Sequence, residues 1–181
     1  MLTTEQESLI QGIESLDVQG VQSLLKDGLD PNFIDPEKGP PISIACDGIF
    51  QWWESVCEAY ESDKPLSDEE KNKKLAPHIE LLDALIIAKA NVHLWDADEF
   101  YGPLWDAASA ACVPAVERLL KEKVDPNTKD DEDLTILSSI SQLFFECDYD
   151  EIDWSQALPE EQKTLEILRE YGAKMSKEVN L

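Results

Sequence analysis

Two stretches of the chain, VQGVQSLLKDGLDPN (18–32) and VPAVERLLKEKVDPN (113–127), are copies of one another. In each, apolar residues recur at spacings of three and four, the stripe of an amphipathic helix, and each closes on Asp-Pro-Asn, a turn signal. LLDALIIAKANVH (81–93) and TLEILREYGAK (164–174) repeat the stripe and the turn more loosely. A short helix with one apolar stripe cannot bury it alone, so a chain built from such units has to stack them. Gly28 and Gly172 stand where a helix ends on a left-handed residue, and Lys89 and Lys123 take that place in the middle copies.

A second element precedes the later stripes: GPPISIAC (39–46), YGPLWDAA (101–108) and LTILSSIS (134–141). Pro41 and Pro103 fit a first helical turn, where no amide hydrogen is needed, and Thr135 fits an N-cap. With these pieces in place the chain resembles the ankyrin repeat, whose unit is a turn, a helix opening Thr-Pro-Leu-His, and a second helix ending near Asp-Pro-Asn. Asp30-Pro31-Asn32 and Asp125-Pro126-Asn127 reproduce that last turn, whereas Ser43, Trp105 and Ser138 occupy the histidine position. The resemblance implies an all-α solenoid of about four helix-turn-helix repeats with short finger loops.

Spacing locates extra residues. Between Asn32 and His93 lie 61 positions, between His93 and Asn127 34, and between Asn127 and Met175 48. Only the middle interval matches a repeat of about 33 residues, which leaves insertions of roughly 28 and roughly 15 residues in repeats two and four. The repeats then run over about 1–35, 36–95, 96–129 and 130–181, one domain in all, with helical insertions near 48–75 and 145–160. The insertions resemble each other, QWWESVCEAYESD before PLSDEEKNKK in one and QLFFECDYDEIDWSQ before ALPEEQKTLE in the other. We read this as duplication of a pair of repeats that already carried an insertion. Thr4 to Glu7 and Ser67 to Glu70 form capping boxes, Pro159 opens the last helix, and Gln51 to Tyr60 continues the first helix of repeat two.

Charge narrows the function. Lys plus Arg number 15 against 39 Asp plus Glu, a formal net charge of −24, so neither nucleic acid nor an anionic membrane is an expected partner. Hydrophobic residues at 43%, with five Trp and five Phe, exceed what a disordered acidic chain carries. The start MLTTEQESLIQGIE lacks a basic segment followed by an apolar one, and the four cysteines show no CxxC pair; the expectation is a cytoplasmic protein with reduced thiols. His78, beside Pro77 at the start of a helix, and His93 in a turn are expected to be structural. The string Asp148 to Asp153 fails as a calcium loop, with Ile152, Asp153 and Pro159 at the fifth, sixth and twelfth positions. No nucleophile elbow, phosphate-binding glycine loop or HExxH pair is present, so no enzyme, metal or cofactor is expected.

The acid clusters with aromatics. Twelve Asp or Glu and only Lys129 among basic residues fall between Asp125 and Glu161. Trp52 or Trp53, Phe144 or Phe145, and Trp105 are expected in the core, and the remaining aromatics outnumber what a short solenoid buries. Exposed aromatics framed by carboxylates compose an interface hot spot with a charged rim. The expected contact residues are Trp95, Asp96, Asp98, Glu99, Phe100 and Tyr101 in one finger, Asp130, Asp131, Glu132 and Asp133 in the next, and Tyr149, Asp150, Glu151 and Trp154 in the second insertion. Lysine in place of Asp130, Asp131 and Asp133 is expected to slow association without loss of helix, and Trp95→Ala to hasten dissociation. Small acidic ankyrin proteins resemble bacterial immunity proteins, which occupy the cationic cleft of a toxin such as a nuclease. The resemblance and the charge together imply a monomeric inhibitor of one basic partner protein; the alternative is a scaffold for peptides or several partners, its acid serving solubility.

Overall fold

The computed structural model describes residues 1–93, 102–130 and 132–179, and its regular structure is almost entirely helical. Among these residues the helices are α1 (Thr4–Glu14), α2 (Val18–Lys26), α3 (Pro41–Glu61), α4 (Asp68–Ile87), α5 (Pro103–Ser109), α6 (Val113–Lys121), α7 (Ile136–Phe145), α8 (Pro159–Glu170) and α9 (Ser176–Val179). Successive helices pack as pairs, α1 with α2, α3 with α4, α5 with α6 and α7 with α8. The odd-numbered helices α1, α3, α5 and α7 touch in that order, and so do the even-numbered α2, α4, α6 and α8. The result is two helical layers with the core between them, where Leu9, Ile42, Ile49, Leu82, Leu104, Leu119, Ile140 and Leu165 are fully buried. No helix among the described residues is long and apolar enough to cross a membrane.

Local chemistry explains most helix ends. The α1 cap is Thr3, not Thr4: Thr3 Oγ1 accepts from the Gln6 amide at 3.2 Å, and the Thr3 amide donates to Gln6 Oε1 at 2.9 Å. Two boxes overlap in Thr-Thr-Glu-Gln-Glu, and the earlier register gains a further helical residue. Ser67 and Glu70 form their box as expected, and Pro41, Pro103 and Pro159 open their helices. Because α4 begins at that early cap, Pro77 and His78 lie inside the helix rather than at its start. Gly28 and Gly172 are left-handed at φ 98° and 90°, and Lys89 and Lys123 adopt the same conformation at 68° and 64°. Side chains pay about 1–2 kcal/mol there that glycine does not.

The segment expected as the first insertion, 48–75, lies within a long helical pair, α3 and α4. The second does not form a regular helix. Glu146, at φ 54°, stops α7, and 145–160 holds only a 3-10 turn, Tyr149–Glu151, before α8. Five acids between Glu146 and Asp153 would repel one another along a helix, whereas irregular chain lets them diverge. Burial of the aromatics differs from expectation in both directions: Trp52 and Trp53 are both in the core at 7% and 5% exposure, whereas Trp105, Phe144 and Phe145 are only half-buried against it. All four cysteines are free thiols, and burial pushes Cys57 up to about 11, followed in effect by the nearby Glu161.

Both Asp-Pro-Asn turns do the same job. Asn32 Nδ2 donates to the Lys89 carbonyl at 3.1 Å, and Asn32 Oδ1 accepts from the Asn91 amide at 2.7 Å. Asn127 Nδ2 likewise donates to the Gly172 carbonyl at 3.2 Å, and its Oδ1 accepts from the Lys174 amide at 2.9 Å. Each asparagine therefore clamps the end of one helix pair to the end of the next. Asn127→Ala should lower unfolding stability by about 1–2 kcal/mol and selectively speed hydrogen exchange at the Lys174 amide. Urea denaturation and exchange mass spectrometry read both; unchanged exchange at Lys174 would show that the clamp carries no load.

A second tie joins the two insertions. Lys71, at the start of α4, is 8% exposed and reaches Glu160 at the start of α8, and it also lies 3.0 Å from Asp68. Trp52 Nε1, Glu160 Oε2 and Thr164 Oγ1 are buried without a hydrogen-bond partner, so the polar chemistry of this joint rests on Lys71.

Candidate functional site

An acidic concave surface forms where α7 gives way to the second insertion. Thr135 caps α7, and its Oγ1 donates to the Lys174 carbonyl at 2.6 Å, which anchors this end of the stack. After Glu146 the chain doubles back under an aromatic cluster. Trp154 packs edge-on against Phe145 and Tyr149, with ring centroids 6.1 and 5.5 Å apart. The Arg169 guanidinium sits 5.1 Å from the Tyr149 ring centroid while binding Glu178 through two nitrogens, at 2.7 and 3.3 Å. These contacts pack the insertion against α7 and α8.

In front of the cluster lies a groove of about 580 Å³, with Leu143, Phe144 and Phe145 along its floor and Glu146, Glu151, Asp153 and Glu161 around it. Leu143 is 58% exposed. Ion pairing divides the acids of this region into two groups. Asp148 and Asp150 lie 3.3 and 3.2 Å from Lys177, and Asp133 lies 3.5 Å from Lys129. Glu146, Glu151, Asp153 and Glu161 have no ion pair among the described residues. Four carboxylates over an apolar floor attract a cation with an aliphatic stem, the chemistry of Arg and Lys side chains.

Hydrogen bonding lowers the pKa of one of them and burial raises that of another. The Ser155 hydroxyl and amide donate to Asp153 at 2.8 and 3.1 Å and hold its carboxyl below the usual range. Burial pushes Glu161 up, and the Glu160 charge adds to this against the opposing bond from the Leu158 amide. A raised carboxyl pKa means that the folded state holds the proton more tightly than the unfolded one. Stability therefore falls as pH rises through that window and stays reduced above it. Glu161→Gln keeps an acceptor for the Leu158 amide and removes the buried charge. Its melting temperature should exceed that of the parent at neutral pH, and the difference should vanish below about pH 4. Equal melting at neutral pH would refute this assignment.

The residues expected from sequence fall in different places. Trp95, Asp96, Asp98, Glu99, Phe100, Tyr101 and Asp131 lie outside the described residues. Glu151 is in the groove, whereas Tyr149 and Trp154 are half-buried supports behind it and Asp150 pairs with Lys177. Glu132 is exposed. Asp130 is structural: its carboxylate accepts from the Glu132 and Leu134 amides at 3.0 and 2.8 Å and from Ser139 Oγ at 3.3 Å. Lysine at Asp130 would remove these three acceptor contacts, so at this position the substitution alters the turn before α7 as well as the charge. Leu143, Glu146, Asp153 and Glu161 also line the groove and were not among the contact residues expected from sequence. Leu143 falls in phase with Ile136, seven positions earlier, and reads as core; it is exposed in the final turn of α7, which is longer than its neighbour α5. Among the described residues no group of three or more His, Cys, Asp or Glu is placed to share a metal ion. No protein-family model matches the chain, and no curated protein matches it.

Proposed function

We propose that the chain is an ankyrin-type repeat protein that binds and blocks a basic protein partner, as an inhibitor of the toxin-neutralising kind. Its helix pairs, its Asp-Pro-Asn clamps and the left-handed residues at 28, 89, 123 and 172 are consistent with ankyrin-type repeats. The observation that carries the binding role is the set of four carboxylates without a cation around Leu143, Phe144 and Phe145. A lysine or arginine from the partner would lay its stem on that floor and its head among Glu146, Glu151 and Asp153. The net charge of −24 would steer a cationic surface toward the groove before contact.

The test begins with the tagged protein as bait in its native cells, eluted with rising salt. A single stoichiometric partner with a basic surface is the expected result, and its association rate should fall steeply with ionic strength. Many weak associates, or a rate indifferent to salt, would favour a general scaffold whose acid serves solubility. Loss of the partner's own activity at one equivalent of bait would mark inhibition.

A further inference from the structure

Two of the buried atoms without a protein partner at the joint between the insertions are of complementary kinds. Trp52 Nε1 can only donate a hydrogen bond, and Glu160 Oε2, a carboxylate oxygen, can only accept one. Leaving either unpaired away from water is costly, so each asks for a partner. Trp52 and Glu160 line the same cavity, of about 210 Å³. Thr164, the third such residue, lies one turn beyond Glu160 on α8 and does not line it.

The cavity lies where three helix pairs meet. Trp52 of α3 and Lys71 and Leu75 of α4 form one side, the turn from Ala111 to Pro114 between α5 and α6 a second, and Glu160 at the start of α8 a third. Trp52, Lys71 and Leu75 are all buried. Asp68 and Asn72, one turn apart on α4, are the exposed members of the lining and mark the mouth. A dry cavity of about 150 Å³ takes up benzene, so this one has room for a single ring bearing a polar group.

Charge and hydrogen bonding together select the occupant. Lys71 is held by Glu160 Oε1 and lies 3.0 Å from Asp68, one ammonium between two carboxylates. An anion would meet the surplus carboxylate charge and leave Glu160 Oε2 unpaired. A cation could reach Glu160 Oε2, but it would lie beside the Lys71 ammonium and offer Trp52 Nε1 no acceptor. A purely apolar molecule would satisfy neither atom. A primary amide carries an acceptor and two donors on one uncharged group, so it can serve both.

We infer that this cavity binds a small neutral primary amide with an apolar body, its carbonyl oxygen accepting from Trp52 Nε1 and its NH2 group donating to Glu160 Oε2. The body rests on Leu75, Val113 and Pro114, giving the usual make-up of a ligand site, apolar walls with a few convergent polar groups. The site shares no lining residue with the acidic groove and stands or falls separately from it.

Benzamide is the probe, added to the full isotopically labelled chain. The Trp52 indole N–H resonance, assigned by its loss in Trp52→Phe, should move downfield and saturate, while the other indoles stay in place. Trp52→Phe keeps an aromatic ring and removes the donor, so the dissociation constant, followed at the amides of Ala111 to Val113, should rise about fivefold. Benzoate, benzylamine and methyl benzoate should each bind the parent about fivefold more weakly than benzamide, or worse. An indole that does not respond would overturn the assignment, and so would an unaltered constant in the folded variant. Equal binding of benzoate, benzylamine or methyl benzoate would also overturn it, because charge or shape alone would then explain the site. Should Trp52→Phe fail to fold, the ranking of the four ligands on the parent decides by itself.

Discussion

Replacing Lys71 with methionine is expected to lower the unfolding free energy by about 3 kcal/mol, a large effect for one side chain on a helix. Lys71 has a side-chain exposure of 11% and Glu160 of 21%, so this pair, 89 positions apart in sequence, is mostly removed from water. Methionine keeps most of the apolar volume, so a cavity is not the cause. The loss comes from a carboxylate left without its cation in a joint where Glu160 Oε2 and Trp52 Nε1 already lack partners. Burial alone would push the Lys71 ammonium down, but its bonds to Glu160 and Asp68 outweigh that and leave it raised. A raised ammonium contributes fully below its unfolded value of about 10.4 and is lost only as pH climbs through the folded one, so neutral pH is where to measure. Urea unfolding should show the full loss in Lys71→Met and recovery of most of it in Lys71→Met/Glu160→Met, which removes both charges. A single-variant loss below about 1 kcal/mol would reduce the tie to an ordinary surface pair.

The second large effect is on binding. Glu146→Lys/Glu151→Lys reverses two groove charges that hold no cation in the fold, and it should slow association with the basic partner about 10- to 100-fold at low salt. The helical circular dichroism should not change, because both residues are exposed and neither carboxylate accepts a hydrogen bond among the described residues. The difference between parent and variant should shrink as salt rises, since screening removes the long-range part. Leu143→Ala acts on the floor and should raise the dissociation rate while leaving association nearly unaltered. Identical association rates for parent and double variant at low salt would remove this groove from the interface.

Sequence reasoning was most accurate where the causes are short-ranged. The stripes of α2 and α6, the first-turn prolines 41, 103 and 159, the Thr135 cap and the left-handed Gly28 and Gly172 each depend on residues within about one turn. Extension of α3 through Tyr60 was legible for the same reason. An error arose where two local signals competed, as at Thr3 and Thr4. The similar sequences of the two insertions concealed different structures: one continues two helices, while the other folds back around Trp154.

What the sequence determined by itself is the mostly helical character, the order of stripes and turns and the acidity, since each depends on residue type and near neighbours. Tertiary structure alone decided which charges are committed and which remain available. Asp148 and Asp150 meet Lys177, Lys71 meets Glu160 and Asn127 meets Lys174 across separations of 29, 27, 89 and 47 positions. Coulombic and hydrogen-bond energies depend on distance in space, and stacking helix pairs sets that distance without regard to distance along the chain.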